Sequence, residues 1–117
     1  IVEQQVPEEE EWDEDDLVAV HVLATRKREP VGTGRLTPAG KIGRMAVLSE
    51  VRSRGVGRRI LDMLVREASH RGMIELHLNA QVQAVPFYEK AGFKAEGAVF
   101  LEAGIPHRRM RRALVPG

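Results

Sequence analysis

Cysteine is absent from all 117 residues, which excludes a disulfide scaffold, a thiolate zinc site, an iron–sulfur cluster and a cysteine nucleophile. A reducing, cytoplasmic setting is compatible with that absence and is the expectation here. Long apolar runs are missing as well. The longest, Leu17 to Ala24 interrupted by His21, falls far short of the roughly 20 residues that cross a bilayer. No basic-then-apolar leader opens the chain, and its first residue is Ile1 rather than Met, so a processed or trimmed start is expected. Basic residues are lacking from one region only: residues 1 to 16 hold nine Asp or Glu and no Lys or Arg. What the chain does have is 43% hydrophobic and 30% charged residues, the composition of one ordinary domain spanning 1–117.

The net charge of +1 hides a segregation, because the 18 basic side chains all lie beyond residue 16 and exceed the acidic ones there by ten. Such a surface attracts anions, whether the phosphates of a nucleotide cofactor, nucleic acid or anionic lipid. Charge alone does not choose among them.

Leu17 to Thr25 reads as a buried strand and Val31 to Leu36 as its hairpin partner, weakened by Gly32 and Gly34. A turn at Thr37–Gly40 leads into a third strand over Lys41 to Leu48. Between Gly57 and Gly72 the period changes: Ile60, Leu61, Leu64, Val65 and Ala68 form one apolar stripe, which predicts a helix ending in an αL cap at Gly72. Ile74 to Ala80 then alternates with a period of two. Pro86 opens a short helix to Lys90, with Gly92 past its end, and Phe93–Phe100 and His107–Val115 are final strands around a turn at Gly104–Pro106. The expected class is α+β, a mixed and mostly antiparallel sheet with a central βαβ unit and flanking helices.

The turn before the long helix is Arg52-Ser53-Arg54-Gly55-Val56-Gly57-Arg58. Glycines at 55 and 57 let successive N–H groups converge on an anion at the positive end of the helix, with arginines as charge-assisted donors around it. A phosphate loop and a dinucleotide fingerprint are both excluded, the first because its lysine signature occurs nowhere and the second because Ile60 stands where a third glycine is required. What remains, Arg-x-x-Gly-x-Gly opening a helix, resembles the pyrophosphate motif of the GCN5-related N-acetyltransferases (GNAT). Phe87-Tyr88-Glu89-Lys90-Ala91-Gly92-Phe93 is similar to a second segment of that family at the expected separation. Val2-Glu3-Gln4, Ile42-Gly43-Arg44, Ala80-Gln81 and Glu102-Ala103-Gly104-Ile105-Pro106-His107 narrow the resemblance to an ElaA-like branch.

That resemblance implies acetyl-coenzyme A as cosubstrate and an amine as acceptor. It implies that Met45, Ala46 and Val47 line the pantetheine arm, with the Val47 amide on the thioester carbonyl, while Arg52, Ser53, Arg54, Gly55, Val56, Gly57 and Arg58 hold the pyrophosphate. Tyr88, the only tyrosine, would protonate or hydrogen-bond the departing sulfur; Asn79 would meet coenzyme or acceptor; Glu102, His107 and His77 are candidates for the acceptor side. Members of the family are commonly longer, with a strand and helices before the position of Ile1. If those are absent, the strand at Leu17–Thr25 is an exposed edge that a second copy of the chain would cover. No metal site and no membrane contact are expected. A non-catalytic coenzyme A-binding or assembly domain and a basic nucleic-acid-binding module are the alternatives, and the acidic run Glu8–Asp16 would either attract a cationic amine or simply be solvated.

Overall fold

Two antiparallel sheets meet at one point and then part. The computed structural model describes residues 2–5, 20–48 and 55–114. The acidic run, Leu17–Ala19, Arg52, Ser53, Arg54 and Val115 lie outside the described residues. The first sheet has the order β1 (Val2–Gln5), β2 (Val20–Arg26), β3 (Glu29–Leu36), β4 (Ile42–Val47). Helix α1 (Val56–His70) follows, then β5 (Glu75–Gln81), a single 3-10 turn (Val82–Ala84) and helix α2 (Val85–Lys90). Strands β6 (Lys94–Glu102) and β7 (Ile105–Ala113) complete a second sheet in the order β5-β7-β6. The α+β class and the βαβ unit β4-α1-β5 are as the sequence reading expects. No described helix is long and apolar enough to cross a membrane.

Strand β1 corrects one expectation. It pairs with β2, Val2 opposite Ala24 through Gln5 opposite His21, so the edge expected to need a second chain is covered by this chain's own residues.

Helix α1 buries Ile60, Leu61, Leu64 and Ala68, the stripe its spacing predicts. It ends in a Schellman motif: the Met73 N–H donates to the Ala68 carbonyl at 3.0 Å and the Gly72 N–H to Ser69 at 3.1 Å, with Gly72 at φ 76°. Gly32 and Gly34 do more than weaken β3. A Cβ on Gly34 would stand 2.7 Å from the Ile60 side chain, and one on Gly32 2.8 Å from it. The two glycines are what let the helix settle on the strand.

Two hairpin turns depart from the sequence reading. Lys27 and Arg28, at φ 52° and 68°, form a two-residue turn between Arg26 and Glu29, a left-handed geometry usually given to Asn-Gly. The last turn is Ala103-Gly104, at φ 52° and 76°, and β7 already begins at Ile105, so Pro106 belongs to the strand. Gly97, at φ 75°, lies within the register shift between Glu96 and Phe100 that lets β6 run on to Glu102.

A cleft between splayed strands

The two sheets touch at the start of β4. Lys41 makes a single parallel bridge to His77, and the His77 N–H donates to the Gly40 carbonyl at 3.0 Å. Beyond that joint no described backbone ladder links β4 to β5, and a gap opens toward their C-terminal ends. Into it faces a cleft of about 560 Å³ lined by Met45, Ala46, Val47, Gly55, Gly57, Arg58, Ala84, Phe87, Tyr88 and Lys90.

Each wall has a local cause. In β4 the register slips between Thr33 and Arg35 of its partner, so Arg44 and Met45 together oppose Gly34, and Arg44 takes φ 50°. This is a β-bulge, which bends the strand and re-aims the residues after it. Because the Leu48 N–H bonds the Val31 carbonyl at 2.8 Å, the alternation of an antiparallel ladder puts the Val47 N–H on the side away from β3.

The second wall is the first turn of α1. Gly55 is its N-cap, at φ 76°, and the first bond of the helix is Arg59 N–H to the Gly55 carbonyl. The N–H groups of Val56, Gly57 and Arg58 therefore have no acceptor within the helix, and they mark its positive end. Gly57 keeps this wall open: a Cβ there would lie 3.5 Å from both Phe87 and Val47. The Arg58 guanidinium, expected to hold phosphate, instead donates to Asp62 at 2.9 Å and to the Lys90 carbonyl at 3.3 Å. It ties α1 to the end of α2.

The third wall is α2. Its C-terminus repeats the glycine device of α1, with the Phe93 N–H donating to the Tyr88 carbonyl at 3.1 Å and Gly92 at φ 92°. Tyr88 is 9% exposed, with Phe87 edge-on at 5.0 Å and Phe93 edge-on at 6.0 Å. Burial pushes its phenol above the usual tyrosine value, so the hydroxyl keeps its proton. Ala84, Phe87 and Lys90 were not anticipated as cleft residues; Phe87 is partly buried and packs against the core as well.

Of the expected site residues, Met45, Ala46, Val47, Gly55, Gly57, Arg58 and Tyr88 come together here. Val56 turns toward β3, its Cγ1 3.2 Å from where a Gly32 Cβ would stand. Asn79, Glu102 and His107 gather elsewhere: the Asn79 amide donates to Glu102 Oε1 at 3.2 Å, and His107 Nε2 lies 3.4 Å from Glu102 Oε2.

His77 stays at the joint of the sheets rather than in the cleft. Desolvation, followed by the nearby Arg109 and Lys41 charges, lowers its pKa below 6.5, opposed by Glu75. Between that lowered value and 6.5 the unfolded chain binds more protons at this position than the folded one, so stability rises with pH across the window and is lost on acidification. His77→Gln is expected to flatten the melting-temperature profile between about pH 5 and 7, measurable by calorimetry.

The arginines of β7 are occupied within the second sheet. Arg109 and Arg111 reach Glu96 at 3.4 and 3.5 Å, Arg108 donates to the Gly97 carbonyl at 2.8 Å and Arg112 to the Ala91 carbonyl at 2.9 Å. A nucleic-acid face finds little support in them.

Comparison with known proteins places this geometry. Residues 1–114 match the profile of the acetyltransferase (GNAT) domain. The chain is 42% identical over 116 residues to the uncharacterized N-acetyltransferase YjcF of Bacillus subtilis, covering 96% of this chain and 83% of that protein. The crystal structure of Escherichia coli ElaA superposes with a TM-score of 0.76 at 28% identity, over 88% of this chain and 75% of that one. An aminoglycoside 6'-N-acetyltransferase complexed with coenzyme A shares the fold, with a TM-score of 0.74 at 20% identity, over 92% and 84% of the two chains.

Proposed function

The chain belongs to the GNAT acetyltransferase family, and from that premise we propose that it transfers an acetyl group from acetyl-coenzyme A to a primary amine of a small molecule or peptide. The observation that carries the proposal is the cleft itself, where the open first turn of α1, the edge of β4 and the Tyr88 ring line one space. The residues present fit the cosubstrate. The α1 amides suit a diphosphate, the outward edge of β4 suits an extended amide-bearing arm, and the gap kept by Gly57 between Val47 and Phe87 gives that arm room.

Acetyl-coenzyme A, when bound, supplies an acyl group activated as a thioester. The chain supplies the rest. The backbone of β4 at Val47, which lines the cleft, is the candidate to polarise a carbonyl oxygen as negative charge develops on it. The Tyr88 hydroxyl, still protonated, donates to a departing thiolate. Met45 and Ala46 on the bulged strand fix the line along which the two are approached, and the half-buried Phe87 excludes water from one side.

Gly57→Trp is expected to weaken acetyl-coenzyme A binding by about 100-fold or more, equivalent to roughly 2.7 kcal/mol, because an indole would fill the space between Val47 and Phe87. Isothermal titration of the native and variant chains, both checked for an unchanged thermal melt, measures it. Undiminished affinity would move the cosubstrate out of this cleft. Turnover across a panel of primary amines then tests catalysis: acetylation supports the transferase, and tight binding with no turnover would leave a coenzyme A-binding domain.

A further inference from the structure

Leu23 of β2, Thr33 of β3 and Ala46 of β4 form one rung of the first sheet, Leu23 opposite Thr33 and Thr33 opposite Ala46. Gly32 and Gly34, on either side of Thr33, face Ile60 of α1, so by the alternation of a strand this rung points to the other face of the sheet. Its middle residues are small. A groove of about 300 Å³ opens over them, lined also by Pro30, Val31 and Leu48. Thr33 supplies the only polar side chain among its described lining residues, and Leu48 remains 46% exposed.

The groove runs up to a basic turn. Its Pro30 pairs with Thr25, and one rung further on Arg26 pairs with Glu29 across Lys27-Arg28. Arg26, Lys27 and Arg28 are all exposed, and no ion pair engages them among the described residues. Against these three cations the turn sets one acid, Glu29. The arginines of β7, by contrast, are spent on their own sheet. Lys27 and Arg28 also hold left-handed backbone, at φ 52° and 68°, where Asn-Gly would sit without strain. Strain retained by two adjacent cations is an outlier of the kind that accompanies ligand contacts.

We propose that the groove and this turn form a binding site for a small anionic amphiphile, whose aliphatic chain lies over the Leu23–Thr33–Ala46 rung and whose carboxylate is held by Arg26, Lys27 and Arg28. Charge complementarity selects the head and the apolar lining selects the tail. Leu23 and Arg26 stand three strand residues apart, about 10 Å, a span matched by the extended chain of octanoate. The volume is at the small end for a ligand pocket and does not seat a helix, which is about 10 Å across. Ala46 and Val47 line both this groove and the cleft, yet the site needs no acetyl-coenzyme A and stands apart from the transferase reading.

Methyl-resolved NMR titration of the whole chain with octanoate at millimolar concentration tests this. Saturable shifts are expected at the methyls of Leu23, Val31 and Leu48. Hexanoate should bind about 15-fold more weakly, at about fourfold for each of two methylenes, and octylammonium at least about tenfold more weakly. Lys27→Asn combined with Arg28→Gly installs the pair that such a turn favours, so the fold is kept; it should weaken octanoate about tenfold and leave the response to octan-1-ol unchanged. Equal affinity for octanoate and octylammonium, undiminished octanoate binding in the double variant, or shifts at Phe87 and Tyr88 with none at Leu23 would each overturn the proposal. Tighter binding of a leucine-terminated acidic peptide would give the groove to a protein partner, and a dimer that octanoate fails to dissociate would give it to a second copy; either result overturns the proposal as well.

Discussion

Tyr88→Phe is expected to lower kcat about 100-fold while leaving acetyl-coenzyme A affinity within about twofold, near the lower end of the 10² to 10⁴ range for a positioned proton donor. The lower end follows from the phenol's own environment. Burial raises its pKa above 10.0, whereas a free thiol ionises near 8.5, so full proton transfer from phenol to thiolate runs uphill. On the proposed mechanism the hydroxyl is therefore expected to act chiefly by donating a hydrogen bond to the sulfur as charge develops there. Phenylalanine keeps the edge-on packing with Phe87 and Phe93, so the melting temperature should scarcely change. Steady-state rates with acetyl-coenzyme A as the varied substrate measure the effect, and an unchanged kcat would remove Tyr88 from the chemistry. The raised pKa also predicts that no activity is lost through tyrosine ionisation below about pH 10.

The second large effect is structural. Gly40→Val is expected to destabilise the fold by about 2 to 5 kcal/mol, combining about 1–2 for a side chain in the left-handed region with about 1–3 for overpacking. Gly40 has φ 85°, and a Cβ on it would stand 2.7 Å from the Glu75 backbone oxygen, an atom that β5 cannot swing aside as a flexible side chain could. The same residue accepts the His77 N–H and donates to the Thr37 carbonyl at 3.0 Å, so relief of the clash breaks the joint. At about 4–8 °C per kcal/mol for a domain of this size, the melting temperature should fall by about 10 °C or more. Gly43→Ala is the control: a Cβ there has nothing within 4 Å, and a change within about 0.5 kcal/mol is expected. Equal melting temperatures for both variants would show that the joint carries no strain.

What could be read from the chain beforehand follows from how local each cause is. Helix α1 was legible because its stripe and its Gly72 terminator act over neighbouring residues, and the same is true of α2 and Gly92. The alternation of β5 announced itself for the same reason. The Lys27–Arg28 turn was hidden, since nothing about two basic residues signals left-handed backbone. Gly32 and Gly34 were read as weak points because their reason is Ile60, distant in sequence and adjacent only in the fold. The cleft was half visible: its glycines and Tyr88 stand in recognisable segments, while Ala84 and Lys90 join it only because α2 lies across the gap. Asn79 and Glu102 meet through the β5-β7-β6 register, at a separation of 23 residues, which no short motif spells out.

Among the described residues the backbone bridge at Lys41 and His77 is where strand pairing joins the two sheets, and it gives β4 and β5 the form of a pair of callipers. From that pivot β4 extends about 20 Å to Val47, at roughly 3.3 Å per residue, so tilting one arm by about 5° displaces its tip by nearly 2 Å, more than half a hydrogen-bond length. On the proposed transfer, jaw width at the thioester is thus set by side chains around the pivot, and acyl groups bulkier than acetyl are expected to be admitted by changing residues there, one arm's length from Val47.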